Sequence, residues 1–277
     1  MLTFGGPPAV TQRPYLFIDG DYLRRRVNWI AEEYFDKETF PLDYRQLAGA
    51  FEKTFFYDCL PIRGNNEPQE QYEQRKATAQ AFHNCLRALP GYHVFLGEIV
   101  GSGGSARQKG VDIQIAVHML THAFRGHMRK ATLLTGDRDF EPLVTALVQE
   151  GVYVTVAYHP RSVSNDLLNA ADAREVYDTF RLMNLVQPAY RKEYPPPKRM
   201  INNGEQFPSL GTSRPIKRGD AGYREILLAQ SPDGIYEFFV SQRDAYDNKS
   251  YCRTSHENAE LIERLLQEEG IAIRWLH

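Results

Sequence analysis

The chain has 277 residues, a net charge of -2 and 42% hydrophobic residues, enough for one sizeable domain plus a smaller unit and unlike a disordered or polycationic chain. Nucleic acid, if bound, must be met by a local basic surface rather than by bulk attraction. The longest apolar runs, "YHVFLGEIV" and "VYVTVAYH", fall far short of the roughly 20 residues that cross a bilayer. The first residues lack the basic-then-apolar order of a signal peptide, so the expected compartment is the cytoplasm, with no membrane partner. Cys59, Cys85 and Cys252 are odd in number and widely spaced, which excludes a CxxC knuckle and a disulfide framework.

From residue 14 to about 184 the pattern predicts strands at 15–19, 53–60, 92–99, 131–135 and 152–159. Helices are expected near 21–34, 42–51, 69–89, 111–127 and 138–150. Near-continuous apolar strands alternating with helices predict an α/β fold, a parallel sheet flanked by helices. "VGSGGSARQKG" (100–110) reads as a mobile or ligand-dependent connection, and it is no P-loop because GxxxxGK[ST] is absent. Residues 185–219, rich in Pro, Gly and basic residues, read as a linker. Residues 220–277 read as a small C-terminal α/β module: a helix over 221–230, a strand over 234–242, a helix starting near Ser255 and stopping at Gly270, and a final strand.

The chemistry concentrates at strand ends. Asp19 closes the first strand in "FIDGDYL". Asp137 closes the fourth in "LLTGDRDFEPLV", where Gly136 reads as a tight turn and Asp139 lies just inside the next helix. Asp112 opens the helix after the Gly-rich connection. In an open parallel sheet, ligands collect beyond the carboxyl ends of the strands. Taken singly, Asp19 reads as a turn residue and Asp139 as a helix cap. As a set, four carboxylates from three segments repel one another unless a cation neutralises them. Oxygen donors without a convergent His or Cys cluster select Mg²⁺ or Mn²⁺. His118 and His122, spaced i, i+4 on an apolar helix, read as packing residues for want of a third ligand.

"FIDGDYL", "KGVDIQIAVHM" and "LLTGDRDFEPLV", in this order, resemble the three motifs of the NYN family (LabA-like), a branch of the PIN-like nucleases. "HPRSVSNDLLNAADAREVYD" is similar to the family's last segment. The resemblance covers about residues 14–180 and implies a PIN-like, Rossmannoid domain: a metal-dependent phosphodiesterase acting mostly on RNA. It places metal ligation and catalysis on Asp19, Asp112, Asp137 and Asp139, and puts Thr135 and Lys109 in the site lining. The position of Tyr22 is commonly Asn in the family, and Asp21 is left as an open extra carboxylate.

The mechanism expected is in-line hydrolysis by a metal-activated water, with Lys109 on a phosphate and the Thr135 hydroxyl orienting the water or the scissile group. Lys109, Arg138, Arg107 and Arg24 are the substrate-binding candidates; Arg25, Arg26 and Arg161 are further cations. For the Arg24–Arg26 triplet a solvated helix face is an equal reading, because consecutive helical residues point about 100° apart. The expected partner is RNA or single-stranded DNA, with a homo-oligomeric or protein contact through the C-terminal module. Two alternatives stand beside the nuclease: a non-catalytic RNA-binding or regulatory module, and a small-nucleotide phosphohydrolase. The DxDx[TV] signature of the latter is broken by Leu23.

Overall fold

The structure is a computed structural model that describes residues 13–100, 107–203, 209–243 and 247–276. The chain divides into two compact units, Met1–Leu185 and Val186–His277.

The first unit is built on a six-stranded sheet of β1 (Tyr15–Asp19), β2 (Lys53–Asp58), β3 (Tyr92–Leu96), β6 (Lys130–Leu134), β7 (Tyr153–Tyr158) and β8 (Ala173–Val176), ordered β3-β2-β1-β6-β7-β8. Every pairing in it is parallel. The α/β expectation therefore holds. Its helices are α1 (Gly20–Phe35), α2 (Tyr44–Ala48), α3 (Gln69–Arg87), α4 (Val111–Phe124), α5 (Glu141–Gln149), α6 (Asn165–Ala170) and α7 (Thr179–Asn184). All five residues of β1 are buried, as a central strand covered on both faces requires. Phe17, Phe55, Leu133, Val154 and Val156 form the core of one face with Ile115 and Met119 of α4.

From β1 the chain adds β2 and β3 on one side, then returns to add β6, β7 and β8 on the other. The order thus reverses between β1 and β6, the switch point beyond whose carboxyl strand ends open parallel sheets bind their ligands.

Several boundaries differ from expectation for local reasons. The strand expected over 92–99 breaks at Gly97, where an added Cβ would lie 2.6 Å from Cys59 Sγ and 2.8 Å from the Lys109 carbonyl oxygen. Beyond it, β4 (Glu98–Val100) pairs antiparallel with β5 (Arg107–Lys109), so the Gly-rich connection stands on a small hairpin; residues 101–106 lie outside the described ones. The helix expected over 138–150 begins with a 3₁₀ turn, Arg138–Phe140.

The second unit corrects two expectations. The linker reading of 185–219 fails because α8 (Pro188–Glu193), β9 (Lys198–Asn203) and the start of β10 (Arg214–Ala221) lie in it. The helix expected over 221–230 is instead β11 (Arg224–Gln230). With β12 (Tyr236–Arg243), β13 (Lys249–His256) and β14 (Arg274–Trp275), these strands make an antiparallel sheet ordered β14-β10-β11-β12-β13-β9. Ile226 and Leu228 face α9 (Ala259–Glu268) while Leu227 and Ala229 are buried on the opposite face. An apolar run buried on both sides carries no alternation to separate strand from helix. The α9 cap is Asn258, whose side chain accepts from Leu261 N.

Candidate active site at the switch point

Asp19 ends β1 and caps α1. One carboxylate oxygen accepts from the Tyr22 amide at 3.1 Å and the other from the Thr135 hydroxyl at 3.0 Å. Thr135 is fully buried, and its hydroxyl also accepts from the Asp137 amide at 3.3 Å. Asp137 caps the 3₁₀ turn by accepting from the Asp139 amide at 3.0 Å. One bonded chain therefore links Asp19, Thr135, Asp137 and Asp139 across the carboxyl ends of the paired strands β1 and β6. A buried hydroxyl engaged on both sides holds the Asp19 carboxylate in place.

Burial pushes the Asp19 carboxyl up to about 6, with the charges of Asp112 and Asp21 adding to it and the Tyr22 and Thr135 bonds opposing it. Asp112, in the first turn of α4, is raised by burial and then by Asp137, Asp139 and Asp21. The four carboxylates and Asp21 thus share one electrostatic field, although no three His, Cys, Asp or Glu among the described residues approach closely enough to cage a metal ion. Oxygen donors in mutual repulsion still fit Mg²⁺, which keeps several waters and takes only one or two carboxylates plus phosphate oxygens.

The expected cations are placed unequally. Lys109 is exposed, opposite Glu98 in the β4–β5 hairpin. Arg138 is exposed and pairs with Asp166 at 3.0 Å, beside a groove lined by Glu141, Thr145 and Asn169. The Arg107 side chain lies outside the described residues. Arg24 is held by Asp58 and, at 2.6 Å, by Asp21. Arg25 also pairs with Asp21, at 3.0 Å. Arg161 stacks over the Trp29 ring at 5.0 Å. His118 meets the Tyr57 hydroxyl at 3.0 Å and His122 lies among Tyr15, Phe17 and Phe55.

Sequence reasoning missed three residues. Asp58 closes β2 beside Asp19 and binds Arg24, His83 and the Cys59 amide; the signal was an apolar run ending in an acid, hidden by extending that strand to Leu60. Tyr22 donates its hydroxyl to the Ser162 carbonyl and accepts from the His159 amide, both at 2.8 Å. Ser162 carries the third surprise, since its carbonyl presses on Gly136: an added Cβ there would lie 1.8 Å from the oxygen. Gly136 has no positive φ, so close approach rather than a turn demands the glycine.

A parallel sheet with acids gathered at its switch point defines the class, an α/β domain of PIN-like type. The family model described as the NYN domain matches residues 13–179, and the chain belongs to that family. Membership supports a nuclease role. Among solved structures, a protein of unknown function from Vibrio parahaemolyticus is 20% identical over 62% of this chain and 97% of its own, with a TM-score of 0.45. Polyphosphate kinase from Porphyromonas gingivalis is 9% identical over 81% of this chain and 41% of its own, with a TM-score of 0.17. No curated protein matches the chain. No helix among the described residues is long and apolar enough to cross a membrane.

Proposed function

We propose that the chain is a metal-dependent endoribonuclease that hydrolyses RNA phosphodiester bonds. The observation that supports this most is the shared acidic field: Asp19 and Asp112 are both raised, each by burial and by carboxylates from other segments. Such a field is costly when empty and favours a divalent cation. Asp112, Asp137 and Asp139, all exposed, together with Asp19, would hold Mg²⁺ or Mn²⁺. When bound, such an ion supplies positive charge to a phosphate and lowers the pKa of a coordinated water. Tyr22 N and Thr135 keep the Asp19 carboxylate in one orientation, which is the preorganisation in-line displacement needs. Lys109 offers a point charge for a neighbouring phosphate, and Arg138 does so once released from Asp166.

A second reading, an RNA-binding module without catalysis, draws on the lack of a preformed three-ligand cage. An aspartyl-phosphate mechanism draws little support, because Leu23 breaks the DxDx[TV] signature it needs. The experiment is incubation of the purified chain with single-stranded RNA and Mn²⁺, beside Asp137→Asn. Cleavage by the wild type that the variant loses supports the nuclease. Equal cutting by both defeats it, and RNA binding that is indifferent to divalent ions with no cleavage favours the binding module.

A further inference from the structure

In the second unit the cations are placed unevenly. On β13 both are held by acids, Lys249 by Glu225 at 2.9 Å and Arg253 by Glu237. β10 and the turn after it differ. Residues 214–224 carry Arg214, Lys217, Arg218 and Arg224 against one acid, Asp220, and Arg274 of β14 takes that acid at 2.9 Å. None of the four has an ion-pair partner among the described residues. Arg214, Lys217 and Arg218 are exposed.

These cations lie along an edge. β14 pairs with β10 only at Gly219 and Asp220, so among the described residues the stretch from Arg214 to Lys217 has β11 on one side and no paired strand on the other. Lys217 lies over the Trp275 ring, 5.8 Å from its centre. At the far end, the turn at Gly222 and Tyr223 that joins β10 to β11 holds the Tyr223 ring 74% exposed, with the Arg224 guanidinium 5.6 Å from its centre. A lysine and a proline are enough to keep an edge strand from pairing with another chain, which accounts for Pro215 and Lys217. Edge protection accounts neither for the unpaired arginines nor for a tyrosine ring raised among them.

Cations in a strip with aromatic rings between them suit a single-stranded nucleic acid, whose phosphates follow the charges and whose unstacked bases lie on the rings. The eight residues of β10 span about 26 Å at about 3.3 Å each, enough for a short single-stranded site. We propose that the β10 edge of the second unit docks single-stranded RNA, with Arg214, Lys217 and Arg218 on phosphates and Tyr223 beneath a base. Anionic lipid offers the same charge; the choice of RNA rests on the proposed activity of the first unit, for which a second contact on the same chain raises the local concentration of substrate.

The test is read without catalysis, as fluorescence anisotropy of a labelled single-stranded oligouridylate mixed with the full chain in chelator. The logarithm of the binding constant should fall with the logarithm of salt concentration, by about 0.7 per phosphate contacted. Arg214→Ala, Lys217→Ala and Arg218→Ala combined should flatten that slope by about 2. Tyr223→Ala should weaken binding roughly 5- to 150-fold, the range of one lost base stack, and Tyr223→Phe should restore it. All four side chains are exposed, so the variants should keep the circular-dichroism melt of the wild type. No binding in chelator at low salt overturns the proposal, as does a slope that the triple variant leaves unchanged or binding indifferent to Tyr223→Ala. Binding to phosphatidylserine vesicles that the triple variant loses, with RNA binding intact, assigns the charges to lipid and overturns it too. The outcome is separable from the nuclease reading: RNA held in this way by a chain that cuts none with Mn²⁺ removes only that reading, and cleavage beside binding that the triple variant leaves unchanged removes only the docking edge.

Discussion

Asp58 takes both carboxylate oxygens to Nη1 of Arg24, at 2.8 and 2.9 Å, while His83 Nε2 donates to it at 3.0 Å from the other side. The acid is buried at the end of β2, next to the strand that ends in Asp19. Arg24 continues to Asp21, so a buried anchor holds a surface carboxylate at the rim of the acidic site.

Removing the anchor leaves the buried His83 imidazole and the Cys59 amide without their acceptor, while Arg24 keeps only Asp21. Asp58→Ala is expected to lose about 1–3 kcal/mol of stability, read by denaturant unfolding at pH 7. Burial works to raise the Asp58 carboxyl, but the His83 bond and Arg24 outweigh it and hold the group below its usual range. A lowered folded value contributes stability above the unfolded pKa and loses it as pH falls through the folded one. The deficit of the variant should therefore narrow in strong acid; a deficit independent of pH would show that the ionised pair is not its source.

Asp19 runs the opposite way. Its folded carboxyl is raised to about 6 from 3.8, so the folded chain binds the extra proton and stability falls as pH rises through that window. Without divalent ions, Asp19→Asn is expected to gain up to about 3 kcal/mol at pH 7, at 1.36 kcal/mol per pKa unit. The gain should vanish below pH ~4, where the wild-type carboxyl is neutral. Thermal melts of both proteins in chelator across this range measure it.

Added Mn²⁺ should reverse that order. A ligand at 100 times its Kd stabilises the folded state by about 2.7 kcal/mol, so the wild-type melt rises while Asp112→Asn and Asp19→Asn respond less. A melt that ignores Mn²⁺ in the wild type would remove the divalent ion from the proposed site.

Gly136→Ala forces a methyl into the Ser162 carbonyl, and the backbone that must move also carries the Ser164 amide bond to the Gly136 carbonyl. Overpacking of this kind costs about 1–3 kcal/mol and sometimes more. The displacement should reach Asp137 next door, lowering cleavage in excess of what the melt alone explains. Unfolding and activity measured together separate the two.

Tyr22→Phe removes one hydroxyl and leaves the buried His159 amide without its acceptor. The expected loss is about 1–3 kcal/mol, by chemical denaturation. Equal stability of the two proteins would mean that a water replaces the hydroxyl.

Much of the site was legible because its signals are local. Strands of β-branched and aromatic residues that end in an acid, and a helix that opens on one, are visible within a few residues, so Asp19, Asp112, Asp137 and Asp139 were readable from the linear chain. The roles of Thr135 and Arg24 were not, since both depend on partners in distant segments: Thr135 Oγ1 meets Asp19, and Arg24 meets Asp58. Distance in sequence hides such bonds, because spacing carries no record of which strand lies beside which.

The second unit shows the same division. Amphipathic α9 was legible from its own periodicity, whereas β9 pairs with β13, from Ser255↔Lys198 to Ser250↔Asn203, and reads as linker until that partner is known. By itself the sequence determined the alternation of elements, the family and the acids at the strand ends, since local propensity and burial pattern write these into neighbouring residues. Only the tertiary structure decided which strands neighbour one another, which carboxylates are buried and held, and which cations of β10 stay unpaired, because those follow from long-range packing.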